Sequence, residues 1–321
     1  MTILVTGAAG FIGAYTCQAL AARGERVVGL DNYNDYYDPR LKRDRVAALC
    51  PGVDIRALDL VDADGLAALF DEVRPERVVH LAAQAGVRYS LENPQAYVQS
   101  NLVGFLNMLE LCRHRGVAHM AYASSSSVYG DSAVPPFSED QRVDRPRSLY
   151  AATKAADELM AYAYAQLYGI RLTGLRFFTV YGPWGRPDMA PLLFARAVLA
   201  GRPIQVFNQG RMRRDFTHVD DIVRGVLGAL DHPSQDPIPH RVFNLGNHTP
   251  VELEHFIAVI EQAAGKPAHK VYKPMQAGDM VETMADTTRA QAAFGFEPTL
   301  PIETGLPPVV AWCEAYFGDA A

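Results

Sequence analysis

Three glycines at a spacing of three, directly behind a short apolar run, constrain this chain more than any other feature. Ile3-Leu-Val5 leads into Gly7-Ala-Ala-Gly10-Phe-Ile-Gly13. A short apolar run bounded by glycine reads as a buried strand, and the loop behind it opens a helix. Gly7 allows the tight turn. Gly10 lets the backbone approach a diphosphate, and Gly13 lets the helix sit close on the strand. Phe11 and Ile12 occupy the same loop, where the helix N-terminus offers free N–H groups and a positive dipole end. A strand–turn–helix unit of this kind predicts a doubly wound α/β sheet that holds a dinucleotide.

The rest of the chain repeats the alternation. Strand-like runs lie at Arg26–Leu30, Val53–Leu58, Arg77–Leu81, Ala118–Tyr122 and Arg171–Phe177. Helical stretches separate them around Gly13–Arg23, Ala63–Val73, a long segment ending near Arg115, and a helix beginning near Tyr150. Short apolar runs between helices predict βαβ units and a parallel sheet covered on both faces. Right-handed crossovers leave the Rossmann arrangement as the economical topology. After Val180 prolines and glycines thicken, through Tyr181–Pro187 and again through Pro233–Pro239. The expected division is a dinucleotide domain over 1–179, completed by a late segment near 215–246, and a smaller C-terminal α/β lobe over 180–321 for substrate. Arg241–Leu245 is the candidate late core strand.

Composition removes other classes. Apolar residues make 49% and charged residues 21% of 321, and the net charge is −6. Such a chain buries an ordinary core and has no bulk attraction for nucleic acid or anionic lipid. No run approaches the ~18 apolar residues of a membrane span. Cys17, Cys50, Cys112 and Cys313 show neither metal nor disulfide spacing, so buried reduced thiols, no metal site and a cytoplasmic chain are expected.

Chemistry gathers at strand ends. Asp31 closes the second strand, eighteen residues beyond Gly13. A carboxylate there accepts from adenosine ribose hydroxyls and repels a 2′-phosphate. Asn32 follows it rather than arginine, which favours NAD over NADP. Asp59 and Leu60 end the third strand, at the adenine edge or as a plain strand end. Tyr150 and Lys154 stand four apart on one helix face. A phenol, with a pKa of about 10, is a poor base at neutral pH, and a neighbouring ammonium favours its phenolate. Ser124-Ser-Ser-Ser127 follows the fifth strand, where ligands bind in parallel sheets. Ser125 or Ser127 could share a proton with a substrate oxygen, while at least two of the four serve the turn.

Together the glycine loop, Asp31, the serine run with Val128-Tyr-Gly130, and Tyr150-x-x-x-Lys154 resemble the extended short-chain dehydrogenase/reductase family, over essentially the whole chain. That resemblance implies an NAD-dependent epimerase or dehydratase of nucleotide-diphosphate sugars and a homodimer built on the helices near 92–115 and 150–168. It also places Leu81, Ala82, Ala83, Asn101, Ser124 and Phe178 along the cofactor. His80–Ser90, Ser124–Gly130 and Arg176–Met189 resemble UDP-glucuronate 4-epimerases in particular. In that group NAD takes hydride from C4, the 4-keto sugar turns, and hydride returns to its other face, giving UDP-galacturonate.

Ser126 and Ser127 stand where relatives that dehydrate or decarboxylate carry Asp or Glu. Thr179, Arg186 and a serine of the run are candidates for the substrate carboxylate, with Arg88 on phosphate or sugar. For the UDP end Arg214 resembles a diphosphate arginine, and the resemblance implies Phe207 against uracil and Asp279 as acceptor for the uridine ribose. Gln276 replaces an arginine that many relatives place three residues before that aspartate. Asp220 and Asp221 read as acids of a helix N-terminus. Two enzymatic alternatives remain, a 4-epimerase of neutral UDP-hexoses and a decarboxylase of UDP-glucuronate. A sensor that kept the nucleotide loop and lost the chemistry is the alternative from another class.

Overall fold

In β1 (Thr2–Thr6), Ile3 and Val5 enter one apolar cluster and Leu4 another, because successive strand residues face opposite sides. Both faces of the strand are therefore covered. α1 (Phe11–Ala22) and β2 (Arg26–Asp31) follow, then α2 (Pro39–Leu49) and β3 (Asp54–Ala57). α3 (Ala63–Val73) leads to β4 (Arg77–His80). The next helical segment comes in pieces: α4 (Tyr89–Glu92), α5 (Pro94–Tyr97), a wide π turn over Val98–Val103, and α6 (Gly104–His114). β5 (His119–Ser125), α7 (Leu149–Tyr168), β6 (Leu172–Phe177) and β7 (Thr179–Tyr181) complete this half. The computed structural model describes residues 1–275 and 280–318.

The second half begins with α8 (Ala190–Leu199), β8 (Pro203–Val206), β9 (Arg213–Arg214) and β10 (Phe216–His218). α9 (Val219–Asp231) and β11 (His240–Leu245) come next. β12 (Val251–Glu252), α10 (Leu253–Ala264), β13 (His269–Tyr272), α11 (Thr288–Phe294) and α12 (Ile302–Phe317) follow.

Seven strands form one sheet in the order β11-β6-β5-β4-β1-β2-β3, every pairing parallel. The late strand β11 joins it at the edge beside β6. α1, α9 and α11 cover one face, through Leu20, Val226 and Ala290; α3, α6 and α7 cover the other, through Leu66, Phe105 and Ala161. A third apolar cluster, from Leu192 to Cys313, lies between α8, α10 and α12. The chain order reverses between β1 and β4, the crevice where doubly wound sheets bind ligands. Among the described residues no helix is long and apolar enough to cross a membrane.

Two elements differ from the sequence expectations. α2 was not anticipated, although Asp38 and Pro39 carry its start signal. The Asp38 carboxylate accepts from the Arg40 N–H, and proline takes the first helical position. The helical segment ending near Arg115 is broken at Asn93, which leaves one short helix and caps the next by accepting from the Ala96 N–H. Asp220 and Asp221 both lie in the first turn of α9 as read. The fully buried Asp221 does more, accepting from the N–H groups of Thr299 and Leu300 and so tying down the segment before α12.

Candidate active site

One cavity of about 1380 Å³ opens over the β1–β4 crevice and runs into the C-terminal half. The glycine loop forms its floor: Gly7, Gly10, Phe11, Ile12 and Gly13 all line it. Gly7 has φ +68°, and a Cβ there would lie 2.7 Å from the Ala82 nitrogen. A Cβ on Gly13 would lie 2.0 Å from the Gly7 carbonyl oxygen. Only glycine allows this approach of strand, loop and helix, and it leaves the N-terminus of α1 bare toward the cavity.

Asp31 lines the wall at the end of β2. One of its oxygens accepts from Ala9 N–H at 3.2 Å, the other from Tyr33 N–H at 2.8 Å. The second oxygen also pairs with Lys42 at 3.4 Å, a residue of α2 that the sequence reading missed. Asn32 donates to Asp59 at 2.8 Å, which joins the ends of β2 and β3, and Leu60 completes that wall. Leu81, Ala82 and Ala83 line the cavity from the end of β4. Asn101 is corrected: it does not line the cavity. Its carbonyl accepts from Gln84 N–H at 2.8 Å, and its amide donates to the Gln84 carbonyl and to Thr153. Asn101 thus shapes the loop behind Ala83, which lies in contact with the cavity, and its own groups are spent.

Tyr150 and Lys154 project from the first turns of α7 into the same cavity, whose helix starts where Ser148 accepts from Ala151 N–H. The Lys154 ammonium donates to Asp157 at 3.0 Å within a fully buried pair. Burial pushes the Asp157 carboxyl up to about 6 against the pull of Lys154. The four serines have separate tasks. Ser124, assigned to the cofactor from resemblance, gives its hydroxyl at 2.5 Å to buried Glu158, which also holds Arg176 through two bonds of 2.9 and 2.7 Å. Ser125 accepts from Ser127 N–H and donates to the Ser127 hydroxyl at 3.2 Å, so it serves the turn. Ser126 and Ser127 remain as half-buried hydroxyls on the wall. Phe178 and Thr179, at the end of β6, line it opposite.

Arg186 reaches the cavity from the loop after β7. Its fork is bidentate to Asp188, at 3.1 and 2.5 Å, and Tyr36 donates to the same carboxylate at 2.9 Å. Burial works to raise the Asp188 carboxyl, but Arg186 overrides it and holds it below the usual value. Burial and Asp188 push the Tyr36 phenol up to about 12. At the far end Arg88, Phe207 and Arg214 line the cavity, with the Arg88 guanidinium 5.6 Å over the Phe207 ring. That ring therefore presents one face to a cation already in place. Gln276 and Asp279 lie outside the described residues.

A bare helix N-terminus at a parallel-sheet switch point, a carboxylate at the end of β2, and a Tyr/Lys pair beside serines define a dinucleotide-dependent enzyme. The chain belongs to the NAD dependent epimerase/dehydratase family, whose model matches residues 3–246. NAD is its cofactor: the glycine cradle that any Cβ would fill and the carboxylate of Asp31 fit it. The chain is 47% identical to UDP-glucuronate 4-epimerase 1 of Arabidopsis thaliana, across 99% of this chain and 78% of that one. Its fold is similar to a UDP-glucuronic acid 4-epimerase from Bacillus cereus solved with UDP-glucuronic acid and NAD, with TM-score 0.91, 34% identity and coverage of 98% and 99%. It is also similar to a UDP-glucose 4-epimerase from Thermotoga maritima solved with UDP-glucose, with TM-score 0.88, 30% identity and coverage of 98% and 99%.

Proposed function

We propose that this protein is a UDP-glucuronate 4-epimerase that interconverts UDP-glucuronate and UDP-galacturonate. The observation that carries this reading is one continuous cavity in which the dinucleotide loop, the Tyr150/Lys154 pair and the Arg186/Thr179 wall meet. Bound against Gly10, Phe11, Ile12 and Asp31, NAD supplies a reversible two-electron acceptor for the sugar C4. Tyr150 takes the proton of the 4-hydroxyl and later returns it, with Lys154 lining the same wall one turn further along α7. Ser127 donates to the developing 4-keto oxygen. Thr179, Ser126 and Arg186 hold the carboxylate, since a 4-keto uronate is a β-keto acid that loses carbon dioxide once its carboxyl bond aligns with the ketone. No acid stands at Ser126 or Ser127 to assist that loss. Arg88, Arg214 and Phe207 take the UDP end, with Gln276 and Asp279 completing it.

The pairing of Arg186 with Asp188 favours a second reading, in which the sugar is a neutral UDP-hexose and Arg186 never meets a carboxylate. The deciding experiment incubates the protein with UDP-glucuronate, without added NAD, and separates the products. UDP-galacturonate supports the proposal. A decarboxylated UDP-pentose, or turnover of UDP-glucose alone, overturns it.

The same proposal assigns residues 1–179 with 215–246 to the cofactor and the remainder mainly to UDP-sugar, in a cytoplasmic homodimer. Four buried thiols suit a reducing compartment. Val103 at the end of the π turn, Leu106 on α6, and Leu159 and Tyr162 on α7 are exposed apolar side chains that a partner subunit would cover. Light scattering is expected to give twice the chain mass for the protein and a single chain mass for the Leu106→Glu/Leu159→Glu double variant.

A further inference from the structure

Arg45 is 0% exposed, deep between the two halves of the molecule. It projects from α2 and spends its guanidinium on neutral acceptors only. It donates to the carbonyl of Ala9 at 2.6 Å, inside the glycine loop, and to the Tyr37 hydroxyl at 3.2 Å. It also donates to the carbonyls of Trp184 at 2.8 Å and Gly185 at 3.4 Å, immediately before Arg186. No carboxylate lies within 4.0 Å of it among the described residues. Asp31, on the other side of Ala9, is matched by Lys42. A buried cation without an anion is costly, so a fold that keeps one places it where an anion arrives.

The segment it holds is unrelaxed by itself. Trp184 has φ +60°, a left-handed conformation that a side chain with a Cβ rarely adopts. Tyr15 from α1 fixes the Pro183 carbonyl at 3.1 Å, and Tyr36 fixes Asp188 at 2.9 Å. The Trp184 ring also packs on Trp312 and Tyr316 of α12, at 5.0 Å each, but the hydrogen bonds from other elements to 183–188 come from Tyr15, Tyr36 and Arg45, and of these Arg45 also grips the glycine loop.

We infer that Arg45 is a positioning residue that locks the Arg186 loop to the dinucleotide loop, and that its charge is answered by the diphosphate of NAD, so that cofactor occupancy orders the sugar-binding loop. The inference deepens the proposed function and rests on it only for the identity of the sugar. Arg45 touches neither ligand and acts through Ala9 on one side and through Trp184 and Gly185 on the other.

The test uses Arg45→Gln, which removes the charge, and Arg45→Lys, which keeps the charge but cannot bridge three carbonyls. Hydrogen exchange of the 183–189 amides is followed in nucleotide-stripped protein with and without NAD, together with the Kd for NAD. In the wild type, NAD is expected to slow exchange of this segment at least about tenfold. In Arg45→Gln the Kd is expected to rise about tenfold, on the order expected for losing a unit charge that acts through the protein interior rather than by contact. In Arg45→Lys the Kd stays within about threefold, while the NAD-induced protection disappears and KM for the UDP-sugar rises more than kcat falls. An unchanged Kd in Arg45→Gln, or a wild-type segment whose exchange ignores NAD, overturns the inference. So does intact NAD-induced protection in Arg45→Lys, which remains decisive if the glutamine variant does not fold. The exchange and Kd readouts need no turnover of UDP-glucuronate, so a wrong sugar assignment leaves them standing.

Discussion

Tyr150 shows what a single side chain decides here. Phenylalanine at 150 keeps the ring against Tyr97, 6.1 Å away edge to face, and removes only the proton acceptor. Turnover is expected to fall by about 10²–10⁴, the usual cost of losing a general base. NAD and UDP-sugar binding should change by less than about threefold, since neither relies mainly on that hydroxyl. Steady-state turnover with bound-ligand titration checks both parts, and more than a tenth of wild-type rate at neutral pH would remove Tyr150 from the mechanism. In the proposed function Arg186 answers the charge of the sugar rather than its chemistry. Arg186→Ala is expected to lower kcat/KM for UDP-glucuronate by about one to two decades, and by much less for any neutral UDP-hexose the enzyme accepts. Equal losses on both would place the carboxylate elsewhere, and released carbon dioxide in the variant would show that the grip also guards against decarboxylation.

At the scale of elements, the join between α7 and β6 is the most exacting. Glu158 on the helix and Arg176 on the strand form a buried bidentate pair, with Ser124 as third member and the Tyr129 ring 4.8 Å from the guanidinium. Through it the strand that ends at the serine run, the helix that carries Tyr150 and the strand before Thr179 are held in one geometry. Glu158→Gln leaves Arg176 charged, buried and half-satisfied, an arrangement that costs about 3–5 kcal/mol. Urea unfolding measures this directly, and a loss below about 1 kcal/mol would mean that water or another group compensates. This pair explains why Ser124, expected along the cofactor and lining the cavity, spends its hydroxyl inside the fold: the buried carboxylate of Glu158 needs a second donor.

For the whole molecule, acid is the informative stress. His240 is half-buried against Tyr122, whose hydroxyl lies 2.8 Å from its Nε2. Burial lowers its pKa from 6.5 to about 4. Below pH 6.5 the unfolded chain therefore takes up a proton that the folded one refuses, and stability falls as pH drops from about 6.5 towards 4. His119, lowered to about 4, and His80, lowered to about 3, act in the same direction. Asp157, raised to about 6, opposes them, because its protonated form is the one folding favours. His240→Gln keeps a hydrogen-bonding partner for Tyr122 and deletes one titration. Its urea midpoint should fall less between pH 7 and pH 5 than that of the wild type, and parallel pH curves would refute the assignment.

The parallel sheet, the glycine cradle, the place of Asp31 at a strand end, and the shared face of Tyr150 and Lys154 were legible in the residues alone, because each rests on local spacing: period two in strands, near four in helices, and glycine where no Cβ fits. So was the family, since those motifs occur together and in order. How polar groups distant in the chain spend their hydrogen bonds emerged with the folded arrangement. Asn101 braces Gln84 instead of a ligand, Ser124 serves Glu158, and Arg186 meets Asp188. Arg45 reaches carbonyls 36 and 139 residues away in the chain. No local pattern marks such partners, because a buried donor is satisfied by whatever acceptor folding brings within about 3 Å, whatever its distance along the chain.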